Sequence, residues 1–524
     1  MIPAPVSATR ASGAKFGWGP LVGFAIVIVA TWSILHAGFH PEDFGTLAVV
    51  RRIDSPWSLV TGNIPFVYSY RPVPLLFWWL SVKLFDTTAI WHNVADMLIH
   101  GCNAALVGVL ATRLTRQRAP GLIAAALFAA LPAATATAAW MADRYDTIAL
   151  LFSLLALLAL EKAIAKRGSP WIVALLLLLA LLSKEIAYAV AAIMLVQLIV
   201  LRPWRDKMLI VLFGAIAGSV ALGLVLRLIK VAPLDTSLNT KDAVHAFWTG
   251  TLAWWSQSIA ALNGFQPAST IFIAAIAILI VIAIVAVARD VWRGRVGEFA
   301  LVIISVGLLV LPALVQWPVT QYALSSDENL AFLENLRFYY FAAAGLALLV
   351  AAGYARLRTG WARILMTGVC AFALVCGIGL SRRVSAQWAS SWRPASRVGL
   401  ALGRDLSARA FPDGCRIYLE SEKWPFAFQK HVDTIVKAVA DPAASVQGCA
   451  IFAGALVSQT LVTNKTCDAA HWPGLVVREH DGIPLGGSIG NLCLLPFASW
   501  KADELGEPLF RFHVDADGHL RAAQ

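Results

Sequence analysis

The chain has 524 residues, of which 59% are hydrophobic and only 14% charged, and its mean hydropathy is +0.71. Soluble globular proteins carry about 25% charged residues, so this composition excludes a soluble protein and predicts that most of the chain lies in lipid. The formal net charge of +11 would suit nucleic acid, but no basic stripe interleaved with aromatic residues occurs. We expect no nucleic-acid partner and assign the charge to loops facing anionic lipid.

Apolar segments repeat along the chain and predict an all-α polytopic membrane bundle of about eleven spans. The first follows Arg10 and Lys15 and lacks a clean cleavage site, so we expect it to remain as an uncleaved span. In chain order the segments cover residues 17–37, 90–112, 119–139, 146–161, 170–182, 186–201, 208–229, 269–288, 298–316, 338–355 and 362–380.

Positive charge alternates between the loops and predicts which side each loop faces. Lysine and arginine concentrate in one set of short loops, while the longer alternate loops hold fewer. Because basic loops stay in the cytoplasm, residues 1–16 are expected inside. The large loop 38–89 and everything after residue 380 are expected outside. The basic loops cover residues 113–118, 162–167, 202–207, 289–297 and 356–363.

One apolar stretch, residues 171–201, is interrupted only by Ser183-Lys184-Glu185. If this stretch formed a single helix, the basic loops 162–167 and 202–207 that flank it in the sequence would face opposite sides of the membrane. A hairpin keeps both loops in the cytoplasm. Its first limb of about 13 residues reaches about 20 Å at 1.5 Å per residue, less than the roughly 30 Å hydrocarbon core. The Lys184-Glu185 tip is therefore expected at membrane depth, where ionisable groups are usually functional. The alternative is a snorkelling lysine paired with its neighbour.

The last part of the chain, residues 381–524, has a mixed composition and predicts an extracytoplasmic α/β or mainly-β domain. It contains Cys415, Cys449, Cys467 and Cys493. Four cysteines in such a domain predict two disulfides in one of three pairings. A zinc site is the weaker alternative, since no CxxC pair is present. The membrane domain is then residues 17–380.

Polar residues stand out at the outer mouths of the spans. Two adjacent carboxylates, Glu42 and Asp43, follow the first span and suit removal of a proton from a hydroxyl; an ordinary solvated loop pair is the alternative. Cations that suit a lipid phosphate occur at four other mouths: Arg71, Arg144, Lys184 and Arg337. Arg71 precedes a stretch rich in tryptophan and phenylalanine that is expected to lie along the membrane interface.

These segments resemble the GT-C glycosyltransferases that use polyprenyl-phosphate sugars, especially the branch of the protein O-mannosyltransferases and their bacterial relatives. The resemblance covers roughly residues 17–380. Two departures occur: Asp96 stands where asparagine is commoner, and residues 42–43 are Glu-Asp where Asp-Asp or Asp-Glu is usual. The segments that carry it are Pro41-Glu42-Asp43-Phe44-Gly45, Tyr70-Arg71-Pro72, residues 91–104, residues 140–152, Leu182-Ser183-Lys184-Glu185 and Arg337-Phe338-Tyr339-Tyr340.

The resemblance implies roles for particular side chains. Asp43 is favoured as the catalytic base, with Glu42 as the alternative. The donor phosphate is expected to bind Lys184, Arg144, Arg337 and Arg71. Further substrate contacts are expected from His92, Asp143, Glu185 and Tyr339, although His92, like His100, could instead pack against polar neighbours within the bundle. Neither a metal ion nor another cofactor is expected, since the cations are already supplied by the protein.

The function implied is a hexosyltransferase-type enzyme that moves a sugar from a polyprenyl-phosphate donor to an acceptor hydroxyl, with inversion at the sugar carbon. It would act on the periplasmic face of a bacterial inner membrane. The acceptor, whether a cell-envelope glycan, a protein or a lipid, stays open. The alternative is a transporter or flippase of a lipid-linked saccharide, but paired broken helices in matching halves, a pattern common among transporters, are not seen in the sequence.

Overall fold

A computed structural model describes residues 18–61, 70–201, 207–230, 268–293, 299–323, 336–358, 360–421, 424, 432–454, 460–463, 488–489, 492–496 and 509–522. Most of these residues are helical, as expected where leucine, alanine, isoleucine and valine dominate and lipid offers the backbone no hydrogen-bond partner. The helices of the predicted membrane domain are α1 (Gly19–Thr31), α2 (Pro41–Arg51), α3 (Trp57–Thr61), α4 (Pro72–Phe85), α5 (Ala89–Thr115), α6 (Arg118–Ala130), α7 (Pro132–Ala139), α8 (Arg144–Ile164), α9 (Pro170–Leu181), α10 (Ala187–Leu201), α11 (Lys207–Lys230), α12 (Ala268–Trp292), α13 (Phe299–Ala323), α14 (Tyr340–Arg356) and α15 (Gly360–Ser407).

Within the described residues, each predicted span lies largely on helix. Among the described residues, six helices are long and apolar enough to cross a bilayer, and a seventh is counted if α6 and α7 form one span bent by 56°. The bend lies at Pro132, whose ring cannot continue the helix. The remaining four predicted spans lie on α9, α10, α13 and α14, whose apolar stretches are shorter. An α-helical polytopic bundle is therefore confirmed, while the number of eleven crossings stays a prediction.

The hairpin expected within residues 171–201 is present as a break between α9 and α10. The register of α9 against α11 gives its direction. Ser219 of α11 donates a hydrogen bond to the Ala174 carbonyl at 3.0 Å, and Arg227, further along α11, donates to the Leu181 carbonyl at the end of α9. The two helices thus run parallel, so the chain must reverse between them. The side of the membrane that the tip faces remains a prediction.

In its described residues, 38–61 and 70–89, the loop 38–89 forms a platform of three helices, α2 to α4. Helix α4 buries Trp78 and exposes Leu76, Leu80 and Leu84 at four-residue spacing, which places these leucines on one face. This pattern is the one expected of a helix lying along a membrane interface. The platform therefore has an exposed apolar face, which carries these leucines, and a buried face, on which Trp78 contacts Arg144.

The described part of the C-terminal region contains one four-stranded sheet and one three-stranded antiparallel sheet. The first has the order β2-β1-β6-β7, with β1 parallel to both of its neighbours, and the second has the order β3-β5-β4. Helix α16 (Val432–Val439) connects β1 to β2. The strands are β1 (Arg416–Glu420), β2 (Ala450–Gly454), β3 (Thr460–Thr463), β4 (Ser488–Ile489), β5 (Leu492–Pro496), β6 (Leu509–Val514) and β7 (Leu520–Ala522).

A disulfide joins Cys415 to Cys449, next to the first residues of β1 and β2. Cys467 and the side chain of Cys493 lie outside the described residues, so a second disulfide stays a prediction. Helix α15 continues without a break through residue 381, the predicted domain boundary. The membrane domain and the C-terminal region are thus joined by one helix.

The C-terminal region packs directly on the platform. Arg51 of α2 donates hydrogen bonds of 2.7 Å to the carbonyls of Ala438 and Val439 at the end of α16, where a cation also complements the helix dipole. One hydrophobic core is shared by Phe44 and Leu47 of α2 with residues of α15, α16 and the sheet. This core fixes α2, and with it Glu42 and Asp43, against the C-terminal half of α15.

Candidate active site

Helix α2 begins in a capping box that holds Asp43. The backbone amide of His40 donates to Asp43 Oδ2 at 2.7 Å, and the amide of Glu42 donates to His40 Nδ1 at 3.1 Å. Proline at the first helical position favours this start. The other Asp43 oxygen, Oδ1, accepts a 2.7 Å hydrogen bond from the amide of Ala142. Asp43 thereby ties α2 to the short 3₁₀ turn Met141–Asp143 that precedes α8.

The two neighbouring carboxylates of α2 have opposite environments. Asp43 is 1% exposed, whereas Glu42 faces solvent. Burial raises the pKa of Asp43 to about 7, although the nearby His40 and the backbone amides of His40 and Ala142 favour its charged form. A carboxyl with a pKa near neutral can exchange a proton at physiological pH, which is the property of a general base.

An aromatic cluster surrounds the His40 ring. The ring centroids of Trp392, Trp140 and Trp388 lie 4.2, 4.5 and 5.8 Å from that of His40. All three tryptophans are buried. Because Trp388 and Trp392 belong to α15, this cluster fixes the start of α2 against that helix.

The most buried ion pair described in the structure joins Asp96 of α5 to Arg144 of α8. The guanidinium donates through Nε and Nη2 to the two carboxylate oxygens at 2.7 and 2.9 Å, and the side chains are 2% and 1% exposed. Nη1 donates to Ser81 Oγ at 2.8 Å, and the Trp78 ring centroid lies 4.6 Å from Cζ. The guanidinium is thus held from three sides, by a bidentate carboxylate, a hydroxyl and an aromatic face.

Other polar side chains of α5 bind neighbouring elements. His92 Nε2 lies 2.8 Å from the Asp86 carbonyl, His100 Nδ1 lies 2.9 Å from the Tyr340 hydroxyl, and Asn103 donates to that hydroxyl at 3.0 Å. Asn93 donates to the Ala37 carbonyl at 3.1 Å. His92 and His100 are fully buried, which is the packing alternative considered for them from the sequence.

At the tip between α9 and α10, two carboxylates meet three cations. Lys184 forms an ion pair with Asp146, and Glu185 forms ion pairs with Arg71 and Arg227. Arg71 holds Glu185 through Nε and Nη2 at 3.2 and 2.6 Å. Asp146 is fully buried, whereas Glu185 keeps 34% of its side chain exposed. The cluster carries one more positive than negative charge and has an accessible side, so it can accept an anion.

One five-residue segment, 142–146, connects these groups. Ala142 contacts Asp43, Arg144 binds Asp96, and Asp146 binds Lys184. Between them, the Tyr145 ring centroid lies 5.4 Å from the Arg71 guanidinium. The structure therefore brings Asp43, Arg71, Arg144, Lys184 and Glu185 into one neighbourhood, although their sequence positions span more than 140 residues.

The remaining predicted site residues are placed less directly. Asp143 belongs to the same segment and Tyr339 lies in a small cluster beside Ala133 of α7; both are buried, with exposed fractions of 4% and 5%. The side chain of Arg337 lies outside the described residues. Within the described ranges, no three histidine, cysteine, aspartate or glutamate side chains group as metal ligands would. The absence of a metal from the reaction stays a prediction.

Sequence reasoning missed Arg227, Ser81 and Trp78. Arg227 occurs near the end of the apolar segment 208–229, and a lone arginine inside such a segment is itself a signal of function. No comparable signal marked Ser81 or Trp78, because a serine and a tryptophan in an interfacial helix are ordinary. Their contact with Arg144 depends on how α4 packs against α5 and α8.

Neither family models nor curated proteins match this sequence. Among solved structures, ArnT from Cupriavidus metallidurans bound to undecaprenyl phosphate is 12% identical with a TM-score of 0.46, and the similarity covers 94% of this chain and 100% of ArnT. The apo ArnT structure is 13% identical with a TM-score of 0.43, covering 94% and 99%. An Archaeoglobus fulgidus oligosaccharyltransferase is 13% identical with a TM-score of 0.42, covering 82% and 62%.

These structural neighbours are GT-C glycosyltransferases, the superfamily that the sequence motifs resemble. The O-mannosyltransferase branch stays a prediction.

We predict that Asp96→Leu destabilises the protein by about 3–5 kcal/mol, because it leaves the buried Arg144 charge without a partner. The double variant Asp96→Leu/Arg144→Met should recover most of that loss, since both charges are then removed. Unfolding free energies of the purified protein in detergent would measure both. Arg113→Met, which breaks the half-exposed pair with Glu161, is the control and should cost less than about 1 kcal/mol. Equal losses in the single and double variants would contradict this interpretation.

Proposed function

We propose that this protein transfers a sugar from a polyprenyl-phosphate donor to an acceptor hydroxyl on the extracytoplasmic face of a bacterial inner membrane. The observation that carries the proposal is the 142–146 segment, which links a carboxyl group of near-neutral pKa to a cluster of three cations. A sugar phosphate and a hydroxyl nucleophile need these two features side by side: positive charge for the leaving phosphate and a base for the attacking oxygen.

The cation cluster suits the donor phosphate. Arg71, Lys184 and Arg227 come from three different elements and are 12–24% exposed, so they are held in place yet accessible. Both oxygens of Glu185 accept hydrogen bonds from Arg71, and Oε1 also accepts one from Arg227. A phosphate has the charge and the oxygen acceptors to take the place of this carboxylate. Nucleotide sugars are not made on the extracytoplasmic face of the membrane. A polyprenyl phosphate would carry its sugar to this site through the membrane.

Arg144 has a different role in this proposal. Its guanidinium is fully engaged by Asp96, Ser81 and the Trp78 ring, so it serves to position the 142–146 segment. We assign phosphate binding chiefly to Arg71, Lys184 and the newly found Arg227. Arg337 is kept as a further predicted contact. His92, whose Nε2 lies 2.8 Å from the Asp86 carbonyl, is assigned to the support of the site. Asp143 and Tyr339 are kept as predicted substrate contacts.

Asp43 is proposed as the base. Each of its oxygens accepts one backbone amide and keeps a lone pair for a further hydrogen bond. An acceptor hydroxyl would reach it where α2 meets the 141–143 turn, so that contact must open during the reaction. Glu42 is the alternative base, since its side chain is already in solvent.

The reaction is a single displacement. The acceptor oxygen forms a bond to the anomeric carbon as the bond from that carbon to the phosphate oxygen breaks, and the configuration inverts. The hydroxyl proton passes to Asp43, and polyprenyl phosphate leaves with the bonding electron pair. The cations stabilise the charge that develops on the leaving phosphate, so no carboxylic acid has to protonate it, unlike in glycoside hydrolases.

The proposal is tested with radiolabelled polyprenyl-phosphate sugars and membrane extract as the source of acceptor in proteoliposomes. We expect one donor to be consumed with formation of a glycosylated product, and Asp43→Asn to reduce product formation at least 100-fold. Glu42→Gln should have a smaller effect, and the exposed Asp54→Asn in the same loop is the control. Consumption that persists in both the Asp43 and Glu42 variants and in the double variant would overturn the proposal, as would movement of the donor across the bilayer without any product.

Arg227→Gln is expected to lower kcat by about 100-fold or more, since loss of one preorganised donor to a developing anion typically costs ~2.7–4 kcal/mol. The same substitution at Arg113, which is paired with Glu161, should leave kcat unchanged. Steady-state rates with saturating donor measure both variants. An Arg227→Gln enzyme with wild-type kcat would exclude this cation from the donor site.

The pH profile follows from the burial of Asp43. A base must be deprotonated, and the pKa of Asp43 is raised to about 7. We therefore expect kcat/KM to rise about tenfold per pH unit below that value and to level off above it. Measuring kcat/KM from pH 5 to 8.5 would reveal this rise, and the residual activity of Asp43→Asn should lack it. A flat wild-type profile would remove Asp43 from the role of base.

A further inference from the structure

A cavity lies away from the cation cluster, where the end of the first span, α15 and the C-terminal sheet meet. Its volume is about 580 Å³, within the range of small-ligand sites. Its walls are the turn around residues 36–38, the C-terminal half of α15 and the hairpin between β6 and β7. The charged and polar side chains that line it include Arg393, Arg397, Arg404, Asp405, Asp517 and His519.

Close backbone contacts fix the walls of this cavity. A β-carbon on Gly38 would lie 2.2 Å from that of Ser396, so only glycine lets the 36–38 turn approach α15. Gly518, at the turn between β6 and β7, has φ +91° and packs against the Val398 backbone. Asp405 accepts a 3.0 Å hydrogen bond from the amide of Leu520. The hairpin is therefore docked on the helix.

The three arginines lie on one face of α15. Residues 393, 397 and 404 fall within about 40° of one another at 3.6 residues per turn, and the first and last are about 16 Å apart along the helix. Arg397 pairs with Asp517 at 3.3 Å, and Asp405 lies 3.3 Å from His519 Nδ1. The side chains of Arg393 and Arg404 have no hydrogen-bond or ion-pair partner among the residues that the structure describes, and both residues are exposed.

We infer that this cavity binds a saccharide that carries at least two anionic groups, phosphate or carboxylate. Arg393 and Arg404 occupy positions about 16 Å apart along α15, and their side chains have no partner among the described residues. They therefore suit two separated anions. The carboxylates of Asp405 and Asp517 and the ring of His519 line the same cavity and suit the hydroxyl groups of a saccharide, because each can accept a hydrogen bond. A surface that bound only lipid phosphate would gain nothing from carboxylates placed among its arginines.

One wall of the cavity is close in sequence to the proposed base. Residues 36–38 form one wall, and Asp43 follows five residues after Gly38. As an acceptor site the cavity rests on the proposed function, whereas saccharide binding itself does not. In that role it would hold the anionic part of an acceptor glycan while a hydroxyl further along reaches α2.

Binding is tested with the full-length protein in phosphatidylcholine nanodiscs, with fluorescein-labelled trigalacturonate as the probe and anisotropy as the readout. We expect Arg393→Gln and Arg404→Gln each to weaken binding about tenfold and the double variant more. Arg383→Gln, an exposed arginine on the same helix that does not line the cavity, should stay within twofold of wild type. Unlabelled maltotriose, which is neutral, should not compete.

Three results would overturn the inference: equal competition by maltotriose, wild-type affinity of the double variant, or an arginine effect seen only as recruitment to phosphatidylglycerol vesicles. The last would assign the arginines to the membrane surface. Asp43→Asn should bind the probe as wild type does. Because no donor sugar is present, failure of the proposed transfer reaction and failure of this binding site are distinguishable.

Discussion

The buried Asp96–Arg144 pair is the interaction on which the arrangement of the site depends. Two charges in a membrane protein's interior lose their hydration, and they persist together because the guanidinium is bidentate on the carboxylate and is satisfied by Ser81 and Trp78. The pair joins α5, α8 and α4 at the start of α8. It thereby fixes the 142–146 segment, whose other residues contact Asp43, Arg71 and Lys184.

The platform formed by the loop 38–89 is stabilised from both sides. On one side α4 contacts α5 and Arg144 through Ser81 and Trp78. On the other, α2 shares one hydrophobic core with α15 and the C-terminal sheet. Arg51 adds hydrogen bonds from α2 to the end of α16. A region of mixed composition that looks like an appended domain in the sequence is thus part of the support for Glu42 and Asp43. Because of this packing, the C-terminal region contributes directly to the position of α2.

Charge balance distinguishes three groups of arginines. Arg144 is neutralised inside the protein, Arg71 and Arg227 share Glu185 at an accessible tip, and Arg393 and Arg404 have no described partner. The first group costs stability if its partner is lost. The second can exchange a carboxylate for a phosphate, and the third can bind an added anion directly. Since the residue type is the same in all three groups, exposure and pairing decide what each arginine does.

The sequence by itself determined the helical membrane class, the position of every predicted span on helix, and the hairpin at Ser183-Lys184-Glu185, because hydropathy and loop charge are local properties of the chain. It also predicted Arg71 and Lys184 at span mouths. Only the tertiary structure decided that Arg144 is paired with Asp96, that Arg227 joins the tip, that His92 is buried and that burial raises the pKa of Asp43 to about 7. Pairing and desolvation depend on which helices pack together, and a charge at a span mouth looks the same in the sequence whether it meets a carboxylate, an aromatic ring or solvent.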